Sequence, residues 1–187
     1  MKIEQITRKN IFMYKKIILP YVYDEFLGKG DEVDTEYLGL GLVLDKADLK
    51  VNKAFKSSQG EQKVSAIIIQ PEGTGDLSIV SVYTLSQFRR KGYASMLLDK
   101  AISVARRMFI WDEYDDDKEV IVLKTLYRLP DNIRPIYEEF LMKNHFTDFI
   151  QIESAKESQI DDGFFIDVWS ASCEIAFFKN VEDAVNA

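Results

Sequence analysis

The residues best suited to chemistry lie in one short basic turn, Gln87-Phe88-Arg89-Arg90-Lys91-Gly92-Tyr93-Ala94. Gly92 has no Cβ to hold a ligand off the backbone, and Ala94 is nearly as small. Arg89, Arg90 and Lys91 put three cations on the same turn. A turn that opens a helix also exposes N–H groups with no intrahelical partner, at the positive end of the helix dipole. Together these suit a phosphate or pyrophosphate group. The bland alternative is a strand–helix connection whose charges are solvated.

The turn needs a strand before it and a helix after it, and the flanking residues supply both. Leu77, Ile79, Val80, Val82 and Tyr83 form a β-branched and aromatic run. Ala94, Leu97, Leu98, Ala101, Ile102, Ala105 and Phe109 recur at spacings of three and four, which predicts one apolar helix face through to Phe109.

In this setting Arg89-Arg90-Lys91-Gly92-Tyr93-Ala94, followed by Ser95-Met96-Leu97-Leu98, resembles the acetyl-CoA signature Arg/Gln-x-x-Gly-x-Gly/Ala of the GNAT superfamily of N-acetyltransferases. The resemblance implies an α/β (α+β) GNAT fold, a central mixed β-sheet of about seven strands flanked by helices on both faces. It further implies that the turn and helix start, Arg89, Arg90, Lys91, Gly92, Tyr93, Ala94 and Ser95, cradle the CoA pyrophosphate. The strand end Val82-Tyr83-Thr84 is then expected to pair its backbone with the pantetheine arm.

Many members place a tyrosine general acid in a pattern like Tyr-x-x-x-Gly-Phe on the helix after the fifth strand. Here Phe140-Leu141-Met142-Lys143-Asn144-His145-Phe146 puts His145 at the glycine and Leu141 at the tyrosine. Tyr137, one turn earlier on roughly the same face, is the candidate acid in place of Leu141, with Tyr83 and Tyr127 in reserve. His145 reads as a helix C-terminal cap, and Glu138 and Glu139 as a solvated helix face. Tyr21, Tyr23, Asp24, Glu25, Phe26 and Trp169 are possible acceptor-lining residues.

The rest of the chain is read from its patterning. Lys2 to Thr7 reads as a strand, and Ile11 to Val22 as a helical stripe that breaks at Pro20, with a second helix over 21–26. Tyr37 to Leu44 and Lys63 to Gln70 are β-prone, joined by a polar connection with a helical turn near 47–55. Pro71 to Asp76 is a strong turn signal, making a hairpin with the strand at Leu77. Trp111 to Lys118 is acidic and loop-like; Glu119 to Tyr127 is a buried strand. Pro130-Asp131-Asn132 predicts a helix start, and Phe149 to Glu153 and Phe164 to Phe178 are closing strands about a turn at 161–163.

Composition bounds the rest. At 187 residues the chain is expected to be a single domain, 1–187. Its net charge of −7 disfavours nucleic acid and leaves a cationic substrate open. Cys173 is the one cysteine and His145 the one histidine, so no zinc cluster and no metal is expected. No apolar run approaches the roughly 18 residues that span a membrane, and the first residues lack a signal-peptide core, which points to the cytoplasm with no membrane partner. The resulting expectation is an acetyl-CoA-dependent N-acetyltransferase acting on a primary amine by direct attack in a ternary complex. Its partners are acetyl-CoA and an amine acceptor (small molecule, peptide or protein), and it is a monomer or homodimer. The alternative is a non-catalytic GNAT-fold module that binds acyl-CoA as a sensor or interaction partner.

Overall fold

The computed structural model describes residues 1–28, 37–51, 60–72, 76–109, 120–129, 131–153 and 168–176. The strands are β1 (Lys2–Ile6), β2 (Leu38–Leu44), β3 (Gln62–Pro71), β4 (Leu77–Thr84), β5 (Val120–Tyr127), β6 (Thr147–Glu153) and β7 (Val168–Ala176). The helices are α1 (Pro20–Leu27), α2 (Lys46–Val51), α3 (Tyr93–Phe109) and α4 (Arg134–Lys143), with 3-10 turns at Ile11–Tyr14 and Ser86–Phe88. Seven strands with intervening helices are the α/β fold expected from the chain. The expected loop at 111–118 and turn at 161–163 lie outside the described residues, as do Phe55 and the ends of the run over 164–178.

By its internal contacts the chain forms two compact units, residues 1–71 with 79–112, and residues 72–78 with 113–187. In the first, β2 lies between β1 and β3, antiparallel to both, and β4 follows β3. In the second, β7 lies between β5 and β6, again antiparallel to both.

Residue size along β2 explains how the first unit packs. In the run Leu38-Gly39-Leu40-Gly41-Leu42 the leucines share one face and the glycines the other, because strand side chains alternate. A Cβ on Gly41 would overlap the Tyr14 ring, and one on Gly39 would fall 2.9 Å from Ile6 Cβ and 3.0 Å from Ile68 Cδ1. Gly41 therefore leaves the room that the fully buried Tyr14 ring fills, and Gly39 leaves room for Ile6, Ile68 and Phe26. The Tyr14 hydroxyl donates to Glu4 Oε1 at 2.8 Å. Burial, then Glu4, pushes the Tyr14 phenol far above its ordinary range. Ile11, Ile17, Ile18, Val22 and Phe26 complete this core against Ala66 and Ile68 of β3. The opposite faces of β2 and β3 pack against α3, whose Leu97, Leu98, Ala101 and Ala105 are buried.

Two local expectations differ from the structure. The stripe from Ile11 forms only a 3-10 turn, whereas the second helix expected over 21–26 is α1, which Pro20 begins. Proline is well tolerated in a first turn, where its missing N–H has no helical acceptor to lose. Similarly, α4 starts at Arg134, with Ile133 at the cap and a proline in the first turn, so Asp131 and Asn132 stay outside the helix.

Candidate functional site

The basic turn is held by its strand on one side and by a buried aromatic on the other. At the end of β4, the buried Ser65 hydroxyl donates to the Tyr83 carbonyl at 3.0 Å and lies 2.7 Å from Thr84 Oγ1. Leu85 N–H donates to the Val64 carbonyl at 3.0 Å. The chain then makes its 3-10 turn and drives Phe88 into the core. Val82 and Thr84 are half-buried and Tyr83 is exposed.

The three cations are not equivalent. Arg89 Nε donates to the Thr84 carbonyl at 3.1 Å, and its guanidinium carbon lies 5.2 Å from the Tyr83 ring centre. It braces the turn on the strand. Lys91 Nζ lies 5.5 Å from the centre of the Phe88 ring. Arg90 is exposed, without a hydrogen bond or ion pair to another described residue, and its φ is +60°. A non-glycine residue in that region is uncommon and carries a conformational cost.

Gly92 has φ +77°, and a Cβ built on it meets no atom within 4 Å. Glycine is needed there for the backbone turn, and the space beside it is not filled by protein. Met96 N–H donates to the Gly92 carbonyl at 2.9 Å, which begins the α3 hydrogen-bond ladder. The N–H groups of Tyr93 and Ala94 precede that bond, at the positive end of α3. Left-handed Gly92, open space beside it, small Ala94 and helix-start amides fit a pyrophosphate.

The second unit holds Tyr137. Its hydroxyl is 3.0 Å from Thr125 Oγ1, and its ring packs edge-on against Tyr127 at 5.0 Å between centres. Tyr127 is buried and donates to Glu138 Oε1 at 3.0 Å; burial, then this carboxylate, pushes its phenol up. Glu138 is thus half-buried and engaged, not on the solvated face expected for it, whereas Glu139 is exposed and pairs with Lys143.

The end of α4 turns at His145. Phe146 N–H donates to the Leu141 carbonyl and His145 N–H to the Met142 carbonyl, both at 3.1 Å, while His145 has φ +65°. This is the Schellman arrangement, which favours glycine where His145 stands. Leu141 and Phe146 are both buried.

Of the expected acceptor-lining residues, Tyr21 donates to the Val80 carbonyl of β4 at 3.3 Å, and Glu25 accepts from Tyr37 at 2.8 Å. Burial, then Glu25, lifts the Tyr37 phenol to about 12. Phe26 is a core residue stacked on Tyr37. The Tyr23 ring centre is 5.7 Å from Lys15 Nζ, and the Trp169 ring centre is 4.5 Å from the Arg134 guanidinium carbon.

Residues 53–121 match the family described as Acetyltransferase (GNAT) family. No curated protein sequence matches the chain. Among solved structures, the IAA acetyltransferase from Bacillus cereus ATCC 14579 superposes with a TM-score of 0.57 at 14% identity, covering 93% of this chain and 99% of that one. Over residues 53–121 the chain is therefore similar to the GNAT acetyltransferases. The ribosomal-protein-S18-alanine N-acetyltransferase from Escherichia coli gives a TM-score of 0.57 at 13% identity, with 95% of each chain covered. A Bacillus subtilis acetyltransferase in complex with CoA gives 0.54 at 13% identity, covering 93% of this chain and 98% of that one. Identities this low establish the fold alone. Among the described residues no group of three His, Cys, Asp or Glu side chains is arranged to hold a metal, and no helix is long and apolar enough to cross a membrane.

Proposed function

We propose that this GNAT protein is a cytoplasmic enzyme that transfers an acetyl group from acetyl-CoA to a primary amine by direct attack in a ternary complex. The acceptor is a small molecule, a peptide N-terminus or a protein lysine. The observation that carries the reading is left-handed Gly92 beside open space at the start of α3. In this proposal Arg89 to Ser95 form the pyrophosphate cradle, with Arg89 acting mainly as its brace, and Val82, Tyr83 and Thr84 lend backbone to the pantetheine arm.

The chemistry makes three demands: a neutral amine, a donor for the carbonyl oxygen as negative charge develops, and a proton for the departing thiolate. An amine of pKa about 10.4 is neutral only about once in a few thousand at pH 7, so removing its proton is the largest demand. The N–H near Thr84 is the proposed donor to the oxygen. Tyr137 is the proposed general acid, its hydroxyl oriented by Thr125. A thiol of pKa about 8.5 can also leave unaided, so the acid assists without being obligatory. The proposed reaction uses no metal ion.

The second reading, a module that binds acyl-CoA without turnover, is favoured by buried Leu141 where other members place the acid. Calorimetric titration with acetyl-CoA and CoA, followed by a thiol-release assay over a panel of amines, separates the two. Binding with amine-dependent thiol release supports the transferase. Binding without release across the panel supports the module, and no binding overturns both.

A further inference from the structure

The stretch from Arg8 to Lys16 plays no part in the site described above, and its charge stands apart from the rest of the chain. From Gln5 to Tyr23 there is no Asp or Glu, and four of the chain's 24 cations, Arg8, Lys9, Lys15 and Lys16, fall in this stretch. The remaining chain carries 20 cations against 31 carboxylates. All four side chains are exposed, and none has an ion pair or a side-chain hydrogen bond to another described residue.

The backbone explains how the patch is built. Asn10 N–H donates to the Thr7 carbonyl, Met13 N–H to the Asn10 carbonyl and Ile17 N–H to the Tyr14 carbonyl, at 3.1, 3.0 and 2.8 Å. Turns closed three residues apart bring side chains of that spacing into line. One line, Ile11, Tyr14 and Ile17, is buried in the core of the first unit. The other two therefore face outward, Lys9, Phe12 and Lys15 on one and Asn10, Met13 and Lys16 on the next. Phe12 is 64% and Met13 51% exposed. Asn10 Oδ1 accepts from the Thr7 N–H at 2.7 Å, and Asn10 Nδ2 donates to the Gln5 carbonyl at 3.0 Å, which ties the run to the end of β1. The core thus holds two large apolar tips out in water, each in line with a lysine.

Apolar tips flanked by cations suit a partner that is anionic outside and apolar beneath. A stable protein partner uses roughly 800 Å² a side, about 20–30 residues, and this patch falls well short. Nucleic acid offers bases to stack on Phe12 but no apolar space for Met13. A bilayer containing anionic lipid matches both features, the headgroups meeting the cations and the acyl boundary taking the tips. Such attachment is from one side, since among the described residues no helix is long and apolar enough to cross a membrane.

We propose that Arg8, Lys9, Phe12, Met13, Lys15 and Lys16 form a peripheral docking surface for an anionic lipid bilayer. The cations meet the headgroups, and Phe12 and Met13 enter the boundary between headgroups and acyl chains. The assignment does not depend on the transferase reading.

The test is co-sedimentation of the full chain with vesicles of phosphatidylcholine alone and of equimolar phosphatidylcholine and phosphatidylserine. Binding is expected with the mixed vesicles only, and it should weaken as added salt screens the headgroups. Lys15→Gln combined with Lys16→Gln should lower the partition coefficient by roughly 20–30-fold, about fivefold for each cation. Arg8→Gln with Lys9→Gln repeats the charge test at the other end of the run and should act alike. Phe12→Ser with Met13→Ser should lower it at least about tenfold at every salt concentration. All these side chains are exposed, so the thermal melts of the variants should match that of the unaltered protein. No binding to the mixed vesicles at low salt, equal binding to phosphatidylcholine alone, or unchanged binding of the lysine or the Phe12–Met13 double variant overturns the proposal. Tighter binding to polyglutamate or single-stranded RNA than to the mixed vesicles also overturns it and gives the patch to a soluble polyanion.

Discussion

Gly92→Ala offers the sharpest separation of coenzyme binding from folding. The glycine has φ +77°, and its missing Cβ faces no atom within 4 Å. The substitution therefore costs folding only the left-handed conformation, about 1–2 kcal/mol, with no steric clash inside the protein. For a chain of this size that lowers Tm by roughly 2–8 °C, leaving a folded protein. A methyl group in the pyrophosphate space should displace at least one charge-assisted hydrogen bond worth about 1.5–3 kcal/mol. At about 1.4 kcal/mol per tenfold, Kd for CoA should rise at least about tenfold and up to about a hundredfold. Gly92→Glu adds negative charge and should abolish binding. The control is Gly28→Ala: φ there is +67°, and the new Cβ would sit 3.0 Å from the flexible end of Arg8. It carries a comparable folding cost with no expected effect on CoA. Thermal melts and calorimetric titrations on both variants decide the matter, and equal CoA affinities for the two would refute the cradle assignment.

Arg90 holds a left-handed φ of +60°, so Arg90→Gly should raise stability by about 1 kcal/mol, read as a higher urea midpoint. Gly41→Ala should cost at least about 1–3 kcal/mol because its methyl overlaps the Tyr14 ring, and a double variant with Tyr14→Leu should lose less than the two single losses summed. Burial opposes ionisation of Glu4, but Lys63 and the Tyr14 hydroxyl outweigh it and hold the carboxyl below its ordinary 4.5. The stabilisation from Glu4 is therefore complete above that value and is lost as pH falls through the lower folded value, so Glu4→Gln should flatten the acid limb of a stability-versus-pH series. Tyr137→Phe should lower kcat by about 10²–10⁴ and alter the pH–rate profile, whereas an unchanged profile and turnover would remove it as general acid.

The part of the sequence with a strong period and a sharp turn was the most legible. The run from Leu77 and the stripe to Phe109 became β4 and α3 within a residue or so at each end, because burial on β4 and the apolar face of α3 follow simple spacing rules. What local pattern could not carry was partnership across distance. Arg89 read as a phosphate cation, yet its Nε is used on the Thr84 carbonyl. Glu138 read with Glu139 as a solvated helix face, but the Tyr127 hydroxyl reaches it from β5. The helix start expected at Pro130-Asp131-Asn132 fell later, at Arg134 with Ile133 at the cap, since a proline in the first turn begins a helix without a side-chain cap. His145 was legible as a cap, but its positive φ needed the backbone.

The gap at Gly41 ties the variation of distant positions together. A glycine in the middle of a strand is a poor strand residue alone, and the Tyr14 ring, brought from a 3-10 turn, occupies the space it leaves. Neither position is free to drift without the other. Among relatives that keep this packing, a side chain at the position of Gly41 should be found only where the position of Tyr14 has shrunk, a compensated exchange that comparing sequences pair by pair would expose.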